Sequence, residues 1–308
     1  MKVFVTGAAG QLGHDVMEEL VSRGHQAVGS DLDAAAIQDR LDGASYRSLD
    51  ITDEEKVMAL IREIRPDAVI HCAAWTAVDA AEDEDNQDKV RRINVDGTAY
   101  VAAACKTVDA KMLYLSTDYV FNGEGSLPWQ ADCRDFAPLN VYGRSKLEGE
   151  VRVTSALSRY FIVRIAWVFG KNGANFVKTM LRVGKGRDFV TVVDDQIGTP
   201  TYTPDLSRLL VDMIETDRYG FYHATNSEDA YISWADFTEE IYRQAGYSTR
   251  VKKVSTEEYG LSKARRPRNS RLDKSKLADK GFAPLPDWKD ALARVLTDYL
   301  QDKPESEG

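Results

Sequence analysis

Short apolar segments alternate with amphipathic ones through the first half of the chain. The first strand-like run, Lys2–Thr6, precedes a stretch in which Leu12, Val16 and Leu20 recur at helical spacing. Further strand-like runs lie at 26–30, 68–71 and 111–115, and a helical pattern lies at 53–64. This alternation continues to about residue 166. It predicts an α/β fold with a Rossmann-like, doubly wound parallel sheet and helices on both faces.

The pattern changes after residue 166. Short strands at 189–193, 220–224 and 251–254 mix with helices near 204–216 and 233–245. We expect these segments to form a smaller, mixed α/β C-terminal lobe over the carboxyl ends of the parallel strands, where ligands of such folds bind. Residues 302–308 are polar, and we expect them to form a disordered tail.

A glycine-rich turn joins the first predicted strand to the first predicted helix. Its spacing is Gly-x-x-Gly-x-x-Gly, and it brings backbone N–H groups and the positive end of a helix dipole to one point. Glycines after a strand can also serve a tight turn alone, but the strand and helix on either side favour a pyrophosphate site. The residues expected to bind a nicotinamide dinucleotide here are Gly7, Gly10, Gln11, Leu12 and Gly13.

Further candidate cofactor residues follow the next strands. Asp31 ends the strand 26–30, where a carboxylate can accept hydrogen bonds from a ribose diol. Its charge would repel a 2′-phosphate, so Asp31 favours NADH over NADPH; a loop or capping role is the alternative. Asp50 and Ile51 precede a helix, in a position where they could recognise an adenine. The small Ala73 and Ala74 would let the cofactor pass close to the backbone.

Tyr142 and Lys146 are four residues apart at the start of a predicted helix. Side chains at this spacing share one helix face, so the ammonium can stabilise a phenolate whose unperturbed pKa is near ~10. Thr117, which follows the run 111–115, adds a hydroxyl that can orient a reacting oxygen. Such a pair can also be two neighbours on a solvated helix. The glycine turn and Ser116–Thr117 favour a proton-donating site for hydride transfer at a carbon–oxygen centre.

Composition narrows the function classes. The net charge of −9 and pI near 5.1 argue against a general nucleic-acid role. The basic stretch 263–276 is either a solvated loop or a source of guanidinium groups for a diphosphate.

The cysteines fit a reducing compartment, and the histidines do not form a metal-ligand pattern. The three cysteines are isolated and the four histidines show no ligand spacing, so we predict neither disulfides nor a metal. Apolar runs are too short to cross a membrane, and the first strand begins directly at the N-terminus. We therefore expect a cytoplasmic protein without a membrane or nucleic-acid partner.

Nine segments together resemble a known family. They are 5–13, 71–79, 93–98, 116–121, 138–146, 164–170, 175–181, 195–201 and 266–270. On these segments the chain resembles the extended short-chain dehydrogenases/reductases and, within them, the dTDP-4-dehydrorhamnose reductase family. The resemblance covers nearly the whole chain.

The resemblance implies roles for named residues. Thr117, Tyr142 and Lys146 would form the catalytic triad, with Tyr142 protonating the C4 oxygen and Lys146 also holding the nicotinamide ribose. The implied substrate-binding residues are Thr76, Val78, Thr117, Tyr119, Trp167, Asn175, Gln196, Arg266 and Asn269. Trp167 would present its flat face to the methyl-bearing ring, with a place in the core as the alternative.

Asp118 and Tyr119 separate the implied reductase from its relatives. Similar 4,6-dehydratases carry an Asp-Glu pair after the threonine, whereas Tyr119 follows Asp118 here, so elimination lacks its general base. Similar 4-epimerases lack the Ser-Thr-Asp-Tyr run. The implied activity is NADPH- or NADH-dependent reduction of the C4 ketone of dTDP-4-dehydro-L-rhamnose. The alternatives are another sugar-nucleotide reductase or epimerase, or a non-catalytic subunit resembling the regulatory subunit of methionine adenosyltransferase.

These expectations divide the chain into three parts. Residues 1–166 form a dinucleotide-binding domain that carries the triad, and 167–301 form a mainly substrate-binding lobe from which some segments return to the first domain. Residues 302–308 form the tail. A nucleotide-sugar is the expected partner, and the chain is expected to be a monomer or a homodimer.

Overall fold

The computed structural model describes residues 1–37 and 40–301. The strands are β1 Lys2–Thr6, β2 Gln26–Asp31, β3 Ser45–Ser48, β4 Ala68–His71, β5 Lys111–Thr117, β6 Tyr160–Ile165, β7 Val168–Phe169, β8 Phe189–Val193, β9 Ile197–Gly198, β10 Thr201–Tyr202, β11 Gly220–His223, β12 Asn226–Ser227, β13 Ile232–Ser233, β14 Arg250–Val254 and β15 Leu285–Asp287. The helices are α1 Gln11–Ser22, α2 Glu54–Ile64, α3 Glu84–Arg91, α4 Thr98–Val108, α5 Val141–Ala156, α6 Phe176–Gly184, α7 Thr203–Ile214, α8 Trp234–Ala245, α9 Thr256–Tyr259, α10 Ser275–Asp279 and α11 Trp288–Gln301. A π-helical segment, Arg92–Gly97, joins α3 to α4.

Seven strands form one parallel sheet in the order β11-β6-β5-β4-β1-β2-β3. The register pairs Thr6 with His71 and Thr117 with Ile165, so the carboxyl ends of the central strands meet at one edge of the sheet. Strands β1 and β4 lie at the centre of the sheet. Strands β2 and β3 follow outwards on one side, and β5, β6 and β11 follow on the other, which is the doubly wound arrangement. The predicted fold class is confirmed.

Helices cover both faces of this sheet. On one face, Val16 and Leu20 of α1 share a buried core with Leu206 and Leu210 of α7. On the other face, α2, α4 and α5 contribute a second buried core, which includes Val57, Ile61, Val101, Cys105 and Val153. Because both faces are covered, the central strands are apolar on both sides, which explains their continuous apolar runs.

The smaller lobe has its own aromatic core. Phe169, Phe237 and Trp288 are buried together there, and α6, α8 and α11 surround them. Strand β14 pairs in parallel with β8, which confirms the strands predicted for this lobe at 189–193 and 251–254.

Two segments that the sequence assigned to the smaller lobe, strand β11 and helix α7, are part of the main-sheet domain instead. Strand β11 pairs with β6 at the edge of the main sheet, and α7 packs on α1. Tyr222 and Phe221 of β11 enter the cores on opposite faces, as in a parallel strand covered on both sides. These segments therefore return to the first domain. The expected tail, 302–308, lies outside the described residues.

Candidate active site

A cavity of about 920 Å³ opens between the carboxyl ends of the main sheet and the smaller lobe. It is lined by the glycine turn after β1, by the end of β5 and the start of α5, and by residues of α6, β8 and the loop that carries Arg266. The cavity therefore lies where a doubly wound sheet binds its ligands.

The glycine turn is shaped by close backbone contacts. Gly7 has φ of 69°, a conformation that favours glycine, and a Cβ there would lie 2.7 Å from the Ala73 N atom. Gly10 caps α1 without a side-chain hydrogen bond, so the first N–H groups of the helix are available to a ligand. A cradle that a Cβ would fill, placed at a helix N-terminus, fits the pyrophosphate of a dinucleotide.

Asp31 lies beside this turn. Its Oδ2 atom accepts a hydrogen bond from the Ala9 N–H at 3.0 Å, and its Oδ1 accepts one from the Leu32 N–H at 2.9 Å. The carboxylate thus also holds the turn, as the capping alternative requires. Its position next to the turn suits a ribose contact, which stays a prediction.

The predicted cofactor residues divide into two groups. Those that line the cavity are Gly7, Gly10, Gln11, Leu12, Gly13, Ala74, Tyr142 and Lys146. Asp31, Asp50, Ile51 and Ala73 are not part of that lining. The Ile51 side chain packs into the core beside Gly97, and the exposed Asp50 accepts hydrogen bonds from Thr52. The sequence could not show that Ile51 points inward.

The proposed triad is assembled from β5 and α5. Thr117 ends β5, and Asn140 caps α5 by accepting a hydrogen bond from the Gly143 N–H at 2.7 Å. This cap fixes the first turn of α5, which carries Tyr142, and Lys146 follows one turn later. The Tyr142 hydroxyl is hydrogen-bonded to Thr117, and the Lys146 Nζ lies 4.2 Å from the centre of the Tyr114 ring.

Burial dominates the electrostatics of the triad. It lowers the pKa of Lys146 to about 7, against the opposite effect of the Glu150 carboxylate. It also raises the pKa of Tyr142 above its usual value, aided by the Asp118 carboxylate and opposed by the hydrogen bond to Thr117. Tyr142 therefore holds its proton at neutral pH, as a proton donor must.

Asp118 is a site residue that sequence reasoning treated only as the start of a missing carboxylate pair. It is 2% exposed, lines the cavity, and accepts a hydrogen bond from the Thr117 hydroxyl at 3.0 Å. Burial raises the pKa of its carboxyl group to about 6. Asp118 thus fixes the direction of the Thr117 hydroxyl, an effect that no spacing in the sequence indicates.

Most of the predicted substrate residues meet in the cavity. Those that line it are Thr76, Val78, Thr117, Tyr119, Trp167, Gln196 and Arg266. Asn175 and Asn269 do not. Asn175 caps α6 by accepting from the Lys178 N–H at 3.0 Å. The buried Asn269 donates to the carbonyls of Glu124 and Leu127 at 3.1 and 2.9 Å. Both asparagines bond to backbone, and Asn175 also donates to Oε1 of the cavity-lining Gln11 at 2.9 Å. Their contacts to the substrate stay predictions.

The basic stretch is not a freely solvated loop. The Arg266 guanidinium donates to an Asp79 carboxylate oxygen at 2.5 Å and to the Tyr119 hydroxyl at 3.4 Å. This pair holds the guanidinium at the cavity wall, where an anionic ligand can reach it.

Trp167 is held in an unusual backbone conformation. Its φ is 50°, a region that residues with a Cβ rarely adopt. Its ring stacks on Trp234 with centres 3.8 Å apart, and both indoles line the cavity.

Sequence reasoning missed the apolar end wall of the cavity, formed by Phe176, Met180, Trp234, Tyr259 and Leu261. The four-residue spacing of Phe176 and Met180 on α6 places them on one helix face, but the sequence does not indicate that this face meets the cavity.

One group of potential ligands was also missed. On α1, His14, Asp15 and Glu18 each bring one ligand atom within 4.8 Å of the others. Exposed acidic groups commonly cluster without an ion, so the group identifies no site by itself, and the expectation of a metal-free protein stays a prediction.

The sequence matches the family described as RmlD substrate binding domain over residues 1–301. The dTDP-4-dehydrorhamnose reductase of Streptomyces griseus is 39% identical over 294 residues, which cover 94% of this chain and 90% of that protein. The chain belongs to this family. A dTDP-4-keto-6-deoxy-D-glucose reductase from Streptomyces niveus, another relative, is 34% identical over 95% of both chains.

Solved structures agree with membership of the dTDP-4-dehydrorhamnose reductase family. That of the Bacillus anthracis enzyme in complex with NADP superposes with a TM-score of 0.87 at 40% identity, covering 97% of this chain and 100% of that one. The family predicted from the sequence is confirmed, and so is its class, that of nicotinamide-dependent oxidoreductases. Within residues 1–37 and 40–301, no helix is both long and apolar enough to cross a membrane.

Proposed function

We propose that this chain reduces the C4 ketone of dTDP-4-dehydro-L-rhamnose to the alcohol. The observation that carries the proposal is one cavity that is lined together by the glycine turn, by Tyr142, Thr117 and Lys146, and by a set of polar and aromatic side chains. This shared cavity supports a dinucleotide cradle beside a proton donor.

The residues divide the chemistry among them. The glycine turn and Lys146 would hold a nicotinamide dinucleotide, which when bound supplies the hydride. Tyr142 donates its hydroxyl proton to the ketone oxygen as the alcohol forms. Thr117, whose own hydroxyl hydrogen points to Asp118, holds the Tyr142 hydroxyl in position. The Lys146 ammonium stabilises the phenolate that proton donation leaves behind.

The rest of the cavity suits a nucleotide-sugar. Arg266 offers its planar guanidinium to the diphosphate. The indole of Trp167 offers an apolar face to the sugar methyl group, and Phe176 and Met180 offer apolar surface to a nucleobase. Apolar and aromatic surface combined with polar groups that fix the ligand's orientation is typical of small-molecule sites.

Cofactor preference is part of the proposal. Asp31 places a carboxylate beside the glycine turn, where it would repel a 2′-phosphate. We therefore propose that NADH is favoured, although the Bacillus anthracis relative was solved with NADP. The cytoplasmic location and the monomeric or homodimeric state stay predictions.

The test follows the loss of reduced-nicotinamide absorbance when the purified protein meets dTDP-4-dehydro-L-rhamnose, with NADH and NADPH in separate reactions. We expect oxidation with one or both cofactors, and a fall of about 10²–10⁴-fold in Tyr142→Phe, which lacks the proton donor. The same assay with dTDP-4-keto-6-deoxy-D-glucose tests the second ketosugar. Cofactor binding without turnover of either sugar would reject the reductase and favour a regulatory role.

A further inference from the structure

A fully buried ion pair lies behind the triad. Arg164 of β6 is 0% exposed and Glu150 of α5 is 2% exposed. The guanidinium donates to both carboxylate oxygens, from Nε at 2.8 Å and from Nη2 at 2.7 Å. This is the bidentate geometry that makes an arginine–carboxylate pair strong.

The surroundings hold this pair in one arrangement. The Ser116 hydroxyl donates to a Glu150 carboxylate oxygen at 2.5 Å. The rings of Phe121, Phe136 and Phe221 lie 5.0–5.1 Å from the guanidinium carbon. Burying two charges is costly, and apolar side chains of similar volume often stabilise a fold equally well. The pair therefore calls for a role other than stability.

The ion pair contacts both elements that carry the triad, helix α5 and strand β5. Glu150 lies one helical turn after Lys146, which lies one turn after Tyr142, so the three share a face of α5. Ser116, which binds the same carboxylate, immediately precedes Thr117 on β5.

Several titratable groups surround Lys146. Within the described part of the chain, those that act on it or feel its charge are His71 of β4, Cys72 after that strand, Tyr114 of β5 and Glu150 of α5, with Tyr142 on the same helix face. Burial lowers the pKa of His71 to about 3 and raises that of Cys72 to about 12. It also raises the pKa values of Tyr114 and Tyr142.

At neutral pH these four groups are thus uncharged. Among the groups just named, Glu150 alone is paired with a guanidinium, from which its side chain accepts two hydrogen bonds.

We propose that Glu150, held by Arg164 and Ser116, is a positioning residue that keeps Lys146 in its ammonium form. The proposal rests on the proposed function only in taking Lys146 as catalytic. Its physical basis is that a buried ammonium needs a nearby negative charge to remain protonated. Arg164 fixes the place of that carboxylate and partly offsets its effect, because the guanidinium bound to it is itself a cation.

The test measures the protonation of Lys146 directly. Lysines of the whole protein are dimethylated reductively with ¹³C-formaldehyde, and their methyl resonances are followed from pH 5 to 11. The Lys146 resonance is assigned by its absence in Lys146→Arg. Its titration midpoint stands apart from those of exposed lysines near ~10.4.

Three variants separate charge from structure. Glu150→Gln removes the carboxylate charge. It should raise the acid dissociation constant of Lys146 by about a hundredfold, taking the ~6 Å typical of side chains one helical turn apart. The double variant Glu150→Gln/Arg164→Met also removes the buried cation and should give about a tenfold rise. Ser116→Ala removes one hydrogen bond but no charge, and should leave the midpoint in place.

The outcomes are distinct. A lower midpoint in the double variant supports the proposal even if Glu150→Gln fails to fold. An unchanged Lys146 midpoint in a folded variant that lacks the carboxylate overturns it. Since the titration needs neither substrate nor cofactor, a failed reductase assay with a shifted midpoint would reject the proposed function alone.

Discussion

The contact between Gly13 and Gly7 makes a specific prediction about cofactor binding. A Cβ at residue 13 would lie 2.0 Å from the Gly7 carbonyl oxygen, 2.8 Å from its carbon and 3.0 Å from the Ala8 Cα. All three are backbone atoms, so no side chain can rotate away. Gly13→Ala must therefore move α1 away from the turn after β1.

The size of that movement follows from the contacts. Real Cβ atoms essentially never approach a non-bonded heavy atom closer than 3.0 Å. The distance from the new Cβ to the Gly7 oxygen must therefore increase from 2.0 Å to at least 3.0 Å. Overpacking of this kind costs ~1–3 kcal/mol. If the shift distorts the pyrophosphate cradle, the same energy appears as binding weaker by about 10- to 100-fold.

Gly10→Ala is the matched control. Its Cβ would lie 3.2 Å from the same Gly7 oxygen, which asks for a shift of only a few tenths of an ångström. The assay compares NADH and NADPH dissociation constants, measured by tryptophan fluorescence, and the thermal unfolding midpoints of wild type and both variants. If Gly13→Ala matched wild type in both affinity and midpoint, the close approach of helix and turn would be wrong.

Three further predictions concern other residues of the site. Asp31→Asn keeps an oxygen acceptor for the Ala9 N–H but loses the charge, so the NADPH-to-NADH ratio of kcat/KM should rise by about tenfold; an unchanged ratio would place Asp31 away from the ribose. Burial raises the pKa of Asp118 from 3.8 to about 6, so the folded state binds this proton more tightly and loses stability as pH rises through that interval. Asp118→Asn should therefore gain about 1 kcal/mol relative to wild type between pH 5 and 8 in urea unfolding, and parallel pH profiles would count against this. Trp234→Leu removes the ring on which Trp167 stacks and should raise KM for the nucleotide-sugar more than it lowers kcat, whereas an unaltered KM would show that the stack does not shape the pocket.

The sequence predicted what depends on local spacing. The turn after β1 and the shared helix face of Tyr142 and Lys146 are set within a few residues, so the pattern alone places them. Asp118, Trp234 and the buried Asn269 each have a partner far along the chain, Ser270, Trp167 and Glu124 respectively, which no local period reveals.

The absence of long-range information in a local pattern also explains why β11 was assigned to the wrong lobe. The apolar residues of β11 fit a strand in either lobe, because a strand buried on both faces has no alternating pattern that identifies its sheet. Only the pairing with β6 decides its location.

The return of α7 and β11 to the main sheet has a consequence for how the protein can be divided. The chain leaves the first domain after β6, re-enters it through α7 and β11, and re-enters it again where α10 packs beside β11. A fragment ending at residue 166 would lack the edge strand of its sheet and the helix that covers α1. Recombination that exchanges the substrate lobe for another must therefore replace several separate stretches at once, so new substrate specificities are more accessible through substitutions in the cavity wall than through transfer of a whole domain.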